Sequence, residues 1–334
     1  MAERAAHGSA WVSSHIFYQD SLDRLLVHVV APLVDECAAS GLAREFFFLR
    51  YWDGGRHLRL RVLPVPGVRR ADVQRLISER FGGYLARHPS PDRLSQQEYA
   101  RSARVLARRE NVPSCAARPY PNNSVSFIAY RREHDRYGHG AAIQAVERHF
   151  AESSRIALRV VTMGASADQR AAAAVALILV TWFIGNSDPG RLMTWMADRD
   201  KDLPDPERAG HKPLAACAGR HLVHTIDLAR RMRVLAAAVT GLPAEGTLVD
   251  WARSIGDLRA ALAAQIAAGA FTAPSRSRGI EGGSAVLDPD DGVLPVLDIC
   301  AHLICNRLGV SPVTEAALRK LAAQSVAALA SEGN

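Results

Sequence analysis

Residues 45–64, EFFFLRYWDGGRHLRLRVLP, hold two extended runs on either side of Asp53-Gly54-Gly55. Aromatic and branched residues suit a pleated, half-buried surface, and an Asp-Gly pair supplies the backbone freedom of a tight turn. The stretch therefore predicts an antiparallel hairpin. In its second arm Leu58, Leu60 and Val62 fall on one face and His57, Arg59 and Arg61 on the other, because strand side chains repeat every two residues. A charged alternate face ordinarily meets water. Paired guanidiniums above an apolar strand also form a forked site for carboxylates or developing oxyanions, with Arg50 supplied by the first arm. Both readings stay open at this point.

Upstream, WVSSHIFY (Trp11 to Tyr18) reads as a further strand. Ser21 then opens a helix in which Leu22, Leu25, Leu26, Val29, Val30 and Leu33 follow the helical period, Pro32 kinks or closes the first segment, and Gly41 ends it. A strand is expected over Ser124 to Tyr130, after the turn signal Pro121 to Asn123. From about Gly140 the pattern is nearly all helix. It comprises Ala141 to Val161, a helix opened by Ser166-x-x-Gln169, others near Arg220 to Val239 and after Thr247, and two closing helices near Leu294 to Leu308 and Thr314 to Ala330. Asp198 to Lys212 reads as a surface excursion and Ala273 to Gly283 as a flexible segment. The expectation is an α+β fold: a small antiparallel sheet with a hairpin in the N-terminal part, packed by a mostly helical C-terminal part. We expect a single domain over 1–334, mixed α/β over 11–139 and mainly helical over 140–334.

The chain has 334 residues, 48% of them hydrophobic and 22% charged, the proportions of a globular chain with a real core. The apolar run Ala171 to Ile184 falls short of the ~20 residues that cross a bilayer and reads as a buried helix, so no membrane partner is expected. The N-terminus lacks the apolar core of a secretory signal, which places the protein in the cytoplasm. Cys37, Cys115, Cys217, Cys300 and Cys305 form no paired spacing, so they read as reduced, buried thiols. No phosphate loop, dinucleotide fingerprint, H-E-x-x-H or nucleophile elbow is present, and neither cofactor nor metal is expected. A net charge of +7 comes almost wholly from arginine and calls for an anionic partner, whether nucleic acid, membrane surface or acidic peptide.

Two further segments carry candidate chemistry. In Tyr130-x-x-Glu133-x-x-Arg136-Tyr137-Gly138, Glu133 and Arg136 are helical neighbours, which reads first as a surface ion pair. In DICAHLICNRLG, Asp298, His302 and Asn306 recur four apart, a polar stripe on an apolar helix. Asp298 is placed to orient His302 as a general acid or base. A buried, hydrogen-bonded structural histidine is the competing reading.

Taken in order, W-x-x-x-H-I-F-Y, F-F-F-L-R-Y-W-D-G-G-x-H-L-R-L-R, Y-x-x-E-x-x-R-Y-G, A-V-E-R-H-F-A-E-S-S and H-x-x-x-N-R-L resemble the C-terminal elimination domain of class I lanthipeptide dehydratases and its stand-alone relatives in thiopeptide biosynthesis. The resemblance runs from about Trp11 to the last helix. It implies either elimination of glutamate from a glutamylated serine or, in the thiopeptide descendant, a pyridine synthase that joins two dehydroalanines. The chain carries no large glutamylating domain, and on that ground the synthase is the favoured reading. The eliminase is the alternative, and a non-catalytic escort of leader peptide or transfer RNA is a third. The resemblance points to Arg59, Arg61, Glu133, Arg136 and His302; with the other residues read above, His302, Glu133, Tyr137 and Arg59 are the expected catalytic residues and Arg61, Arg136, Arg50, His57 and Asn306 the expected substrate-binding ones. The implied partner is a modified precursor peptide with an acidic leader, favoured over nucleic acid, with other enzymes of the pathway alongside. In one place the chain departs from the family pattern: Gly138 is followed by His139 where the family has a second glycine.

Overall fold

The structure, a computed structural model, describes residues 10–109, 114–201, 218–239, 245–271 and 289–332. Residues 1–9, Cys217, most of the excursion Asp198 to Lys212 and the whole of Ala273 to Gly283 lie outside the described residues. The chain forms two compact units. One is Met1–Arg132 with Ala157–Gly164, and the other is Glu133–Ile156 with Ala165–Asn334.

In the first unit β1 (Val12–Phe17), β2 (Ala43–Tyr51), β3 (His57–Pro64) and β4 (Ser124–Phe127) form one antiparallel sheet in the order β2-β3-β1-β4. The predicted hairpin is present: Tyr51 pairs with His57 across the turn, and Gly54 and Gly55 have positive φ. Residues paired across antiparallel strands share a face. Val12, Ile16, Phe46, Phe48, Leu58, Leu60 and Val62 are therefore one apolar surface, and all are buried. Helix α1 (Leu22–Leu25) runs into a π turn (Leu26–Val30) and then α2 (Ala31–Ala39), while α3 (Arg70–Arg87) packs on β1, β3 and β4. Pro32 sits in the first turn of α2. It has no N–H to donate, and the preceding turn widens to absorb the missing bond, so the predicted kink takes the form of a π bulge. Ser21 occupies the N-cap position of α1 without a capping bond from its side chain.

The turn is fixed from outside the hairpin. Tyr99, on α4 (Gln96–Arg109), accepts from Gly54 N–H at 2.9 Å and donates to the Ala116 carbonyl at 2.8 Å, while Ala116 N–H donates to Asp53 at 2.7 Å. A Cβ on Gly54, whose φ is +82°, would stand 2.7 Å from a ring carbon of Tyr120. Gly54→Ala is therefore expected to destabilise the fold by about 1–3 kcal/mol. The control is Gly41→Ala, also at positive φ but with nothing within 4 Å. Thermal unfolding should show the larger drop for Gly54→Ala.

The second unit is helical: α5 (His134–Tyr137), α6 (Ala141–Thr162, its last turn grouping with the first unit), α7 (Ala167–Gly185), α8 (Pro189–Lys201), α9 (Ala218–Ala237), α10 (Thr247–Ala267), α11 (Pro289–Leu308) and α12 (Pro312–Glu332). The capping box forms with both reciprocal bonds, Gln169 N–H to Ser166 Oγ at 3.2 Å and Ser166 N–H to Gln169 Oε1 at 2.8 Å. It starts α7 ahead of the apolar run, so the helix is long and apolar enough to cross a membrane by length and composition. In this fold it is the hub of the unit: Ala174, Val175 and Leu177 through Gly185 are buried, and α9, α10, α11 and α12 pack around it. Cys37, Cys300 and Cys305 are buried and Cys115 is half-buried, all as free thiols. Burial pushes Cys300 up to about 12.

Candidate active site

The residues singled out from sequence divide between the two units. Arg50, His57, Arg59 and Arg61 belong to the first, and Glu133, Arg136, Tyr137, His302 and Asn306 to the second.

The second face of the sheet is built by Ser13, His15 and Phe17 of β1, His57, Arg59 and Arg61 of β3, and Phe47, Leu49 and Tyr51 of β2. It is not a solvated outer face. Ser13, His15, His57 and Arg61 are all buried and Arg59 is half-buried, so the charged alternation lines an enclosed polar surface. Aromatic rings hold the guanidiniums: Arg59 Cζ lies 3.4 Å from the Tyr51 ring centroid, and Arg61 Cζ lies 4.7 Å from Tyr130 and 5.3 Å from Phe47. Burial, and then the neighbouring positive charges, bring His57 down to about 4, so its ring is neutral beside two arginines. Arg50 pairs in register with Leu58 and so lies on the opposite, apolar face, where it forms a 2.6 Å ion pair with Asp23.

The Tyr-Gly segment behaves as its spacing suggested. Glu133 and Arg136 form a 2.8 Å ion pair, with side chains 57% and 49% exposed. Tyr137 is buried edge-on against Phe150, and burial pushes its hydroxyl well above the usual phenol value. Gly138 is required: its φ is +75°, and a Cβ there would lie 2.5 Å from the Phe271 ring. The second positive φ falls at Gly140, beyond His139, whose ring stacks on His134 at 4.2 Å. An exposed ion pair contributes at most about 1 kcal/mol. Glu133→Gln is thus expected to leave the unfolding midpoint nearly unchanged, so that any large loss of activity in that variant reports on chemistry and not on folding.

In α11 the structure changes the partners expected of the polar stripe. Asp298 does not orient His302. Its carboxylate accepts from Trp182 Nε1 at 2.8 Å and Arg319 at 2.5 Å, with Arg199 at 3.6 Å. Burial alone would raise Asp298, but Arg319 and Arg199 hold it well below the usual carboxylate range. His302 instead bonds through Nδ1 to both oxygens of Glu315, at 3.0 and 2.9 Å, and Glu315 is fixed by Arg319 Nε at 2.8 Å. Glu315 is buried while His302 is 53% exposed, so His302 is not the structural core histidine either. Burial would raise Glu315, yet the His302 bond and Arg319 keep its carboxyl below the ordinary value. The dyad therefore presents an ionised carboxylate to Nδ1–H and leaves Nε2 to exchange a proton. Asn306 follows one turn later, half-buried.

Glu315, Arg319 and Trp182 were not anticipated from sequence. Glu315 and Arg319 stand four apart on α12, a spacing that reads as an ordinary helix-surface pair. The α11–α12 turn brings Glu315 to His302, and no local pattern records that. A second polar group lies deeper. His149 Nδ1 is 2.8 Å from Ser254 Oγ, which donates in turn to Glu152, and Arg307 donates to Ser153 and Ser154 at 3.1 Å each. Among the described residues, no three His, Cys, Asp or Glu side chains come together as a metal site.

Likeness to solved structures agrees with this architecture. The pyridine synthase TbtD from thiomuracin biosynthesis matches with TM-score 0.72 at 20% identity, covering 96% of this chain and 99% of that one. TsrL matches with TM-score 0.60 at 18% identity, covering 94% and 93%. The tRNA-dependent lantibiotic dehydratase MibB from Microbispora sp. 107891 matches with TM-score 0.55 at 17% identity, over 100% of this chain but 29% of that longer one. Identities this low establish the fold. Among curated proteins none matches the chain in sequence. The family profile of the lantibiotic biosynthesis dehydratase C-terminus matches residues 11–326, nearly the whole length, and the chain belongs to that family.

Proposed function

We propose that this protein is a pyridine synthase of thiopeptide biosynthesis. Two dehydroalanines of one modified precursor peptide are joined in a formal [4+2] aza-cycloaddition, water is lost, and the leader is expelled as its carboxamide to leave a six-membered nitrogen heterocycle. The observation that carries the reading is His302, solvent-facing and anchored through Nδ1 on a buried glutamate. The chemistry needs a proton moved from the intervening amide nitrogen to its oxygen, then protons delivered to departing water and carboxamide, and an oriented imidazole does both. Arg59 and Arg61 hold and polarise the peptide, while Glu133 and Tyr137 complete the proton-handling set. The likeness in fold to TbtD, a pyridine synthase, supports the reading.

Elimination of glutamate from a glutamylated serine is the second reading, favoured by the family profile and by the match to a dehydratase. Mass spectrometry of two incubations separates them. A leader-bearing peptide with two dehydroalanines should lose water and leader carboxamide, and a glutamylated serine peptide should remain unchanged. Release of glutamate without ring formation transfers the assignment to the eliminase. No reaction with either, together with salt-sensitive peptide binding, transfers it to the escort. Because the net charge is +7, affinity for the leader-bearing peptide is expected to fall as ionic strength rises and to drop when the leader is removed. Titration at two salt concentrations checks it, and an unchanged affinity would remove the electrostatic part of the proposal.

A further inference from the structure

His57 is completely buried on the polar face of the sheet, and its two ring nitrogens have different partners. Nδ1 lies 2.8 Å from the carbonyl oxygen of Gly55, which can only accept, so Nδ1 carries the proton. Nε2 is then a lone-pair acceptor, and Arg59 Nε donates to it over 3.3 Å. The same guanidinium sits over the Tyr51 ring, and Tyr51 meets His57 edge-on with centroids 5.9 Å apart. His57 is itself immobilised, stacked on His15 at 4.9 Å and packed against Phe17 at 4.6 Å. Its carbonyl anchor belongs to the turn that Tyr99 pins through Gly54. One chain of contacts thus runs from α4 through the turn and the imidazole to the arginine. Arg61, two residues on, is seated on Tyr130 and Phe47.

An arginine side chain has many rotamers, and one held in place before the substrate arrives binds with less ordering cost and a defined direction of approach. A protonated imidazole would offer Arg59 a second donor and a like charge. The neutral ring offers an acceptor.

We propose that His57 is a positioning residue: its Nδ1-protonated ring holds the Arg59 guanidinium on Tyr51 and sets the angle at which that guanidinium meets the peptide. The proposal rests on the reading of Arg59 as a substrate-contacting residue. Two substitutions separate the two nitrogens. Glutamine places an amide near the position of Nε2, and asparagine places one near that of Nδ1. Titrated with the leader-bearing peptide carrying two dehydroalanines, His57→Gln should bind within about threefold of wild type. His57→Asn should bind about tenfold more weakly than His57→Gln, the two variants sharing the loss of the buried ring, as expected for loss of one charge-assisted bond that fixes a contact. In an Arg59→Gln background the Asn substitution should add nothing. Equal losses for Gln and Asn, or losses that add to that of Arg59→Gln, overturn the proposal.

A spectroscopic arm is independent of any reaction. In the full chain labelled with nitrogen-15 histidine and arginine, His57 Nε2 should be unprotonated. The Arg59 Nε–H signal should be slow to exchange in wild type and in His57→Gln, and fast in His57→Asn. A protonated Nε2, or an Arg59 signal indifferent to the Asn substitution, overturns the proposal. If the spectra come out as expected while wild type neither binds nor converts the peptide, the positioning of Arg59 stands and the assigned reaction falls.

Discussion

Replacing His302 with alanine is expected to lower turnover of the doubly dehydrated peptide by about 10²–10⁴-fold, the usual contribution of a general acid or base, with KM changed little. Because the His302 side chain is 53% exposed, its removal opens no cavity, and Glu315 keeps Arg319 as an ion-pair partner, so the fold should be retained. A group that works mainly in the transition state lowers kcat and kcat/KM together. Glu315→Gln is the companion variant. It preserves an acceptor for Nδ1–H but removes the charge that stabilises the imidazolium, so it should cost less than His302→Ala and shift the pH-rate profile, which a purely structural glutamate would not do. Rates and peptide affinities measured for both variants decide it. If His302→Ala weakens binding as much as it slows turnover, His302 is a contact residue and the proton-transfer role is wrong.

The hairpin was legible because its signals are local. Asp53-Gly54-Gly55 demands positive backbone angles, and the period-two alternation of β3 assigns its faces without any tertiary information. The Ser166-Gln169 box was legible for the same reason. What the sequence could not carry was partnership over distance. Asp298 stands four residues from His302 and was the natural candidate to orient it, yet Trp182 and Arg319, from two other helices, take its carboxylate. Helical spacing says that two side chains share a stripe. Which of them a third helix claims is decided by packing. The reading of the Arg59 and Arg61 face as solvated failed on the same point: alternation distinguishes two faces but does not say whether both are covered. Arg50 shows the limit of reading across a hairpin, since membership of the adjoining arm says nothing about face until the register is known.

Acid should unfold this protein earlier than its carboxylates alone would dictate. Three buried histidines have folded values far below the ordinary 6.5: His57 at about 4, His149 at about 3 and His15 at about 2, in each case first by burial and then by neighbouring positive charge. In the unfolded chain each takes up a proton near pH 6.5. Between that pH and the folded value the unfolded state therefore binds more protons, and stability falls as pH falls. The stabilisation is fully present above 6.5, the reverse of a histidine whose value is raised by a partner. For His57 alone the gap between 6.5 and about 4 corresponds to roughly 3 kcal/mol lost by pH 4. Asp298 and Glu315, both held below ordinary carboxylate values, withdraw their contribution only on further acidification, below about pH 4. Against a typical total of about 5–15 kcal/mol, the histidines are enough to bring unfolding into the range of about pH 4 to 5.5. Denaturant titrations at stepped pH should show stability declining from pH 6.5 downward. His15→Phe, which keeps a ring against His57 and removes a titrating group, should flatten that decline and lower the acid midpoint. Stability that stays level from pH 7 to pH 5 would mean that these histidines are protonated in the folded protein, and the neutral imidazoles assigned to the sheet would be wrong with it.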